Sequence, residues 1–240
     1  MSGSSLARTI SNPKAIVCEQ AHVADGRRLI RLTLDRRLAA GFSAICADAR
    51  GMAAMANELG YRTARDLFLA CPAIARDMKS PAVAQPPLEF CRALLAGRVP
   101  EEAVTFCAYL LPERAAVWWG HECLSHLAEL LAERDLELLA LVSDWVGEPG
   151  NPRHRAALGS AVDPSPATPA AWIALSAAWR DPAFDMLSTG FPAAHAVNAG
   201  ILAGLARIST ADRFAVLSAF VEMGIQMVEM EAQRQSVDAY

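Results

Sequence analysis

Nowhere does this 240-residue chain hold the run of roughly 20 apolar residues that a membrane span needs. Its least charged stretch, residues 192–206, is too short and carries His195 and Asn198. The serine-rich residues 1–10 lack the apolar core of a secretory signal. Cys-x-x-Cys is also missing: Cys18, Cys46, Cys71, Cys91, Cys107 and Cys123 are scattered, several of them on apolar helix faces. A disulfide framework belongs to small secreted chains, so reduced thiols and a cytoplasmic location are the better reading. There is no Gly-rich phosphate loop, no Gly-x-Gly-x-x-Gly, no kinase signature and no repeat of fixed period. Nothing therefore implies a cofactor.

β-Branched residues are sparse as well. The chain is 53% hydrophobic but only 7% aromatic, with alanine and leucine supplying much of the apolar content. Those two residues favour helix most strongly, and the fold class that follows is all-α, an array of about eight to ten short and medium helices. The punctuation places helices at 63–71, 72–78, 88–96, 100–111, 112–131, 135–146, 169–179, 192–207 and 210–233, with a short one at 153–160. Pro100, Pro112 and Pro169 fit first helical turns, and Glu101, Glu102 and Glu113 suit the positive end of a helix dipole. Residues 147–169, rich in proline and glycine, read as an internal loop of a helical domain spanning 61–240.

Residues 1–60 read as an appendage, a small β-hairpin followed by helical patterning from near Arg36 and over 51–59. Ala15-Ile16-Val17-Cys18 and Leu29-Ile30-Arg31-Leu32-Thr33-Leu34 flank Asp25-Gly26, the signature of a small β-hairpin. Charge is also unevenly placed along the chain. Residues 1–80 hold 12 Lys/Arg against 7 Asp/Glu, and residues 81–240 hold 10 against 19, for a total of −4. That total argues against nucleic acid as the main partner. A helix-turn-helix regulator using residues 51–70, with its turn at Gly60, is an alternative reading, though any packed helix pair looks the same in sequence.

Catalytic patterns fail on inspection. Gly41-Phe42-Ser43-Ala44-Ile45 has isoleucine where a nucleophile elbow needs its second glycine. His121-Glu122-Cys123-Leu124-Ser125-His126 spaces its histidines five apart, about 140° round a helix, so they cannot clasp one ion as an i, i+4 pair would. A hydrolase or effector assembled from His121, Glu122 and His126 is the second alternative. The Ala196, Gly200, Gly204 stripe reads as a close helix crossing. Phe214, Leu217, Val221, Gly224 and Val228, widened by Phe220, Met223 and Met227, form the apolar face of the last helix.

Trp118 and Trp119 stand side by side. Neighbours on a helix point about 100° apart, so one face cannot bury both rings centrally. With Val117 at 0° on a helical wheel, Cys123, Leu124, Leu127, Leu130 and Leu131 fill an apolar arc from about 220° round to 20°, and Trp119, at about 200°, lies at its edge. Trp118 falls among Glu122, Ser125 and Glu129 on the polar face, with Arg114 one turn before it and suited to stacking on its ring. Tryptophan and arginine dominate interface hot spots. Arg114, Trp118 and Trp119 are thus the candidate partner-binding residues, with Met223 and Met227 as flexible secondary candidates.

Pro87-Leu88-Glu89-Phe90 and the block from Glu102 through Leu111-Pro112-Glu113-Arg114-Ala115-Ala116-Val117-Trp118-Trp119 resemble an uncharacterised bacterial helical family of unknown function. Pro169-Ala170-Ala171-Trp172-Ile173-Ala174-Leu175 is similar to a second family segment. The resemblance covers roughly residues 62–230 and departs at Cys107 and Tyr109. The family carries no assigned catalytic residues, and its genes often stand beside those of type VI secretion. The resemblance therefore implies an accessory or effector-handling role. The expectation is a cytoplasmic, non-enzymatic protein-binding module, an adaptor, chaperone or accessory protein of a secretion system.

Overall fold

The computed structural model describes residues 61–162, 165–178 and 192–238, the last seven as backbone only. Ten α-helices and one 3₁₀ turn order the described residues, with no strand among them. In chain order they are α1 Ala64–Ala70, α2 Ile74–Asp77, α3 Pro87–Leu95, α4 Glu101–Leu110 and α5 Glu113–Ser125. The 3₁₀ turn Ala128–Leu130 leads to α6 Glu133–Gly147, α7 Pro152–Ala161, α8 Pro169–Ala178, α9 Ala193–Leu205 and α10 Thr210–Asp238. The chain is all-α here, as its composition requires. The hairpin at 15–34 and residues 51–60 of the helix-turn-helix reading lie outside the described residues.

Helix starts follow local chemistry. Thr63 Oγ1 accepts from Asp66 N at 3.3 Å while Thr63 N donates to Asp66 Oδ2 at 2.8 Å, a reciprocal capping box on α1. Asn151 accepts from Arg153 N at 3.0 Å just ahead of Pro152. Thr168 Oγ1 accepts from Ala171 N at 3.4 Å at the head of α8. Arginines close the other ends. Arg114 donates to the carbonyls of Val146 and Gly147 at the C-terminus of α6. Arg213 donates to those of Leu205, Ala206 and Ile208 where α9 ends.

α4 is the central helix. Every residue from Glu102 to Leu110 is buried, with α2, α3, α5, α9 and α10 around it. The most extensively packed pair is α8 with α9, and α5 lies against both. That close approach rests on missing side chains. A Cβ on Gly120 of α5 would sit 2.7 Å from Ile173 Cδ1 of α8, and one on Gly200 of α9 would meet the same methyl at 2.7 Å. One on Gly204 would meet Leu124 Cδ2 at 2.6 Å. The small-residue stripe on α9 is therefore a core crossing, with Ile173 keyed between two glycines.

Two expectations need correction. The helix expected over 112–131 ends at Ser125, and the chain tightens into the 3₁₀ turn with Leu127 N donating to Leu124 O at 2.9 Å. Leu127 stays buried, but Leu130, placed by the wheel on the core face, is 46% exposed. No residue of 126–131 breaks a helix by propensity; packing decides it, with Arg207 holding Leu130 O at 3.0 Å. Phe214 is likewise 55% exposed. The apolar face of α10 is covered only from Leu217 onward, where Leu217, Phe220, Val221 and Met223 are buried.

Candidate functional site

The tryptophan pair opens α5 just after Leu111-Pro112. Trp119 is fully buried and donates its indole N–H to Phe220 O of α10 at 2.9 Å. Gly224, one turn later, makes this contact feasible, because a Cβ there would stand 3.1 Å from Trp119 Cε2. Trp118 points elsewhere. It is half-buried, stacked on His121 with ring centroids 5.1 Å apart and planes 12° apart. Its indole N–H is buried without a hydrogen-bond partner, the one such side-chain donor or acceptor among the described residues. An orphaned buried donor costs about 1–3 kcal/mol. The inward pose of Trp118 is therefore an expensive one for this side chain.

Around it, the polar face drawn by the helical wheel is more enclosed than expected. His121 and Glu122 are both buried, and His121 Nδ1 lies 3.1 Å from Glu122 Oε1. Burial of α5 between α6, α8 and α9 puts residues from nearly all sides of the helix in the interior. His126 follows at the helix end, half-buried. No group of three or more His, Cys, Asp or Glu able to hold a metal occurs among the described residues. Arg114, one turn before Trp118, ties the start of α5 to the end of α6.

The remaining sequence candidates sit deeper. Met223 and Met227 are fully buried in the common core with Trp119. A side chain with no exposed surface offers a partner nothing to touch, so these three hold the fold. Of the five residues singled out, Arg114 and Trp118 keep surface in the first two turns of α5, the guanidinium of Arg114 being engaged by the end of α6.

One constellation escaped the sequence altogether. Asp77, at the end of α2, lies with both carboxylate oxygens 2.9 Å from His195 Nδ1 in the first turn of α9. Tyr109 of α4 donates to Asp77 Oδ2 at 2.6 Å. Burial, then the hydrogen bond to Asp77 and the charge of that carboxylate, push the Tyr109 phenol well above its usual range. Trp172 of α8 meets the His195 ring edge to face at 6.2 Å. Nearby on the same two helices, Thr105 Oγ1 donates to Asn198 Oδ1 at 3.1 Å. With Asp77 and His195 separated by 118 positions, no spacing rule finds the pair. Its chemistry is that of an oriented imidazole and a carboxylate shared by two donors, which ties α2, α4 and α9 together.

Two further carboxylates also join elements. Asp135 is fully buried in the first turn of α6, accepting from Ala170 N at 3.3 Å and from Arg207 Nη1 at 3.3 Å. Glu102 accepts from Lys79 N at 2.8 Å and Ser80 N at 3.0 Å, fixing the strand of coil that follows α2. Burial alone would raise the Glu102 carboxyl, but the Ser80 and Lys79 donors and the Lys79 charge outweigh it and hold it below its usual range.

No curated protein and no solved structure matches the chain. Residues 90–228, which hold the Trp-Trp block, the core helices α4 to α9 and most of α10, match the model of a family of unknown function, DUF6931, and the chain belongs to that family.

Proposed function

We propose that this chain is a non-enzymatic protein-binding module, an adaptor, chaperone or accessory protein of a bacterial secretion system, with Trp118 as its anchor. The observation that carries the reading is the state of that side chain. It is half-buried on α5, π-stacked on His121, and its indole N–H is buried without an acceptor among the described residues. A rotation that turns the N–H outward toward a carbonyl or carboxylate of a partner recovers the hydrogen bond that the inward pose forfeits. Tryptophan in such a setting combines large apolar area with one directional donor. The link to secretion rests on the gene neighbourhood that the family resemblance implies, and on nothing geometric.

The test compares the full chain with Trp118→Ala as bait in lysate of its own host. A partner retained at least tenfold better by the unsubstituted chain, with melting temperatures within a few degrees, supports the reading. Equal capture by both baits refutes it. A melting temperature that falls as far as that of Trp119→Ala would make Trp118 a core residue instead.

A further inference from the structure

We infer that Cys91 and Cys107 are a disulfide-forming pair, a modification site that staples α3 to α4 when a low-molecular-weight disulfide such as glutathione disulfide supplies the oxidising equivalents. Both thiols are free and fully buried, one on each helix, with their Sγ atoms 3.2 Å apart. That is closer than two unbonded sulfurs rest without an S–H between them, and about 1 Å from the length of an S–S bond. Cys91 Sγ also lies 3.7 Å from Ala103 O, directing it across the helix pair.

The register is built in. Each cysteine follows a phenylalanine, and Phe90 and Phe106 meet edge to face at 5.0 Å and 83°, so one aromatic contact sets the crossing that brings the two sulfurs together. Gly224 of α10 lies behind Cys107, where a Cβ would come within 3.3 Å of its Sγ. The absence of that Cβ leaves the sulfur room to adjust. The outer side of α3 is tied to α10 by the exposed ion pair Arg92–Glu229 at 3.0 Å, which a transient lifting of α3 can break at little cost.

The chemistry balances as two exchanges. One thiol loses its proton and attacks glutathione disulfide, forming a mixed disulfide and releasing one glutathione thiolate. The second thiolate attacks the mixed disulfide at the protein sulfur, forming the Cys91–Cys107 bond and releasing the second glutathione. Two protein thiols give up two electrons and two protons, and one glutathione disulfide becomes two glutathiones. The bulky mixed disulfide has no room in the closed core, so exchange runs through the lifted state of α3 or before folding is complete.

The test refolds the reduced, denatured full chain into a series of glutathione buffers, so burial of the thiols does not block the reaction. Acid quench, alkylation and non-reducing peptide mapping then locate each bond. The expected result is a Cys91–Cys107 link whose half-formation tolerates a glutathione²/glutathione disulfide ratio at least tenfold more reducing than the same link in denaturant. Cys123, which lies within electrostatic reach of Cys107, is the internal rival. Cys123→Ser should keep the link and Cys91→Ser abolish it. A link no more stable than in the denatured chain, or a Cys107–Cys123 bond in its place, overturns the inference.

Discussion

Replacing Gly120 with alanine probes the socket that locks three helices together. In the middle of a helix, the substitution by itself gains about 1 kcal/mol of helix propensity. Against that stands steric overlap: the new Cβ would lie 2.7 Å from Ile173 Cδ1 and 3.2 Å from Val197 Cγ1. Unbonded carbons do not approach to 2.7 Å, so the cost belongs near the top of the 1–3 kcal/mol typical of overpacking. The net expectation is a loss of about 1–2 kcal/mol, or roughly 2–8 °C in melting temperature for a domain of this size.

The decisive experiment is a double-mutant cycle. Ile173→Val removes the offending δ-methyl and alone costs about 0.5–1.5 kcal/mol. In the double variant the alanine methyl refills the space that the lost δ-methyl leaves, and the propensity gain survives, so stability should return close to that of the parent. The coupling is then about 2 kcal/mol in the favourable direction, read from urea unfolding with unchanged slopes. Gly200→Ala supplies the contrast. Its Cβ would meet Pro169 O at 2.9 Å as well as Ile173 Cδ1 at 2.7 Å, and a backbone oxygen cannot be trimmed away. Ile173→Val should therefore rescue Gly120→Ala and leave Gly200→Ala largely unrescued. Effects at Gly120 and Ile173 that add within about 0.5 kcal/mol would refute the keyed-methyl argument.

Three further outcomes follow from the buried polar groups. The Glu102 carboxyl is held low in the folded state, so it contributes stability that is complete above its unfolded value of about 4.3 and is lost as pH falls through the lower folded value. Glu102→Gln should flatten the acid limb of the stability curve, and identical acid limbs for both proteins would contradict this. Tyr109 behaves in the opposite sense: a raised folded pKa stabilises below the unfolded value of about 10 and ceases to do so as pH rises beyond it. Its phenolate absorbance should therefore appear only as the domain unfolds at alkaline pH, and a reversible Tyr109 titration in the folded chain near pH ~10 would disprove it. Asp135→Ala leaves Ala170 N without its acceptor and Arg207 with the Leu130 carbonyl but no carboxylate, and about 3 kcal/mol should be lost, the low end for a broken buried pair because Arg207 retains a third of its surface in water. A change in midpoint equivalent to less than about 1 kcal/mol would show that water replaces the carboxylate.

The helix starts were legible because each is a local event. Thr63 with Asp66, Asn151 before Pro152 and Thr168 before Pro169 satisfy the first amides of their helices within three residues, and proline marks the last two. The stop at Ser125 was not legible, since residues 126–131 continue the helical pattern and a guanidinium on a distant turn holds the chain off it. Phe214 misled for a related reason: periodicity says which face is apolar, not how far along the helix a neighbour covers it. The Asp77–His195 and Cys91–Cys107 pairs are products of helix packing, and no local pattern carries them. Arg114 was read as a partner for Trp118 from i, i+4 spacing, while its guanidinium serves the open carbonyls of α6, a role visible only once α6 is in place.

The two adjacent tryptophans show how one helix sends neighbouring side chains into different surroundings. A step of about 100° turns Trp119 into the core, where Gly224 admits the ring and Phe220 accepts its N–H. The same step turns Trp118 to the boundary, where the ring stacks on His121 and its N–H meets no acceptor among the described residues. If Trp118 served only to fill space, phenylalanine would fill much of it and remove the orphaned donor, so Trp118→Phe should be neutral or stabilising in the isolated chain. On the proposed reading, that cost is recovered when a partner group accepts the indole N–H. The sharp expectation is therefore a divergence: Trp118→Phe holds or gains stability while losing partner capture. Loss of stability with capture intact would return Trp118 to an ordinary packing role.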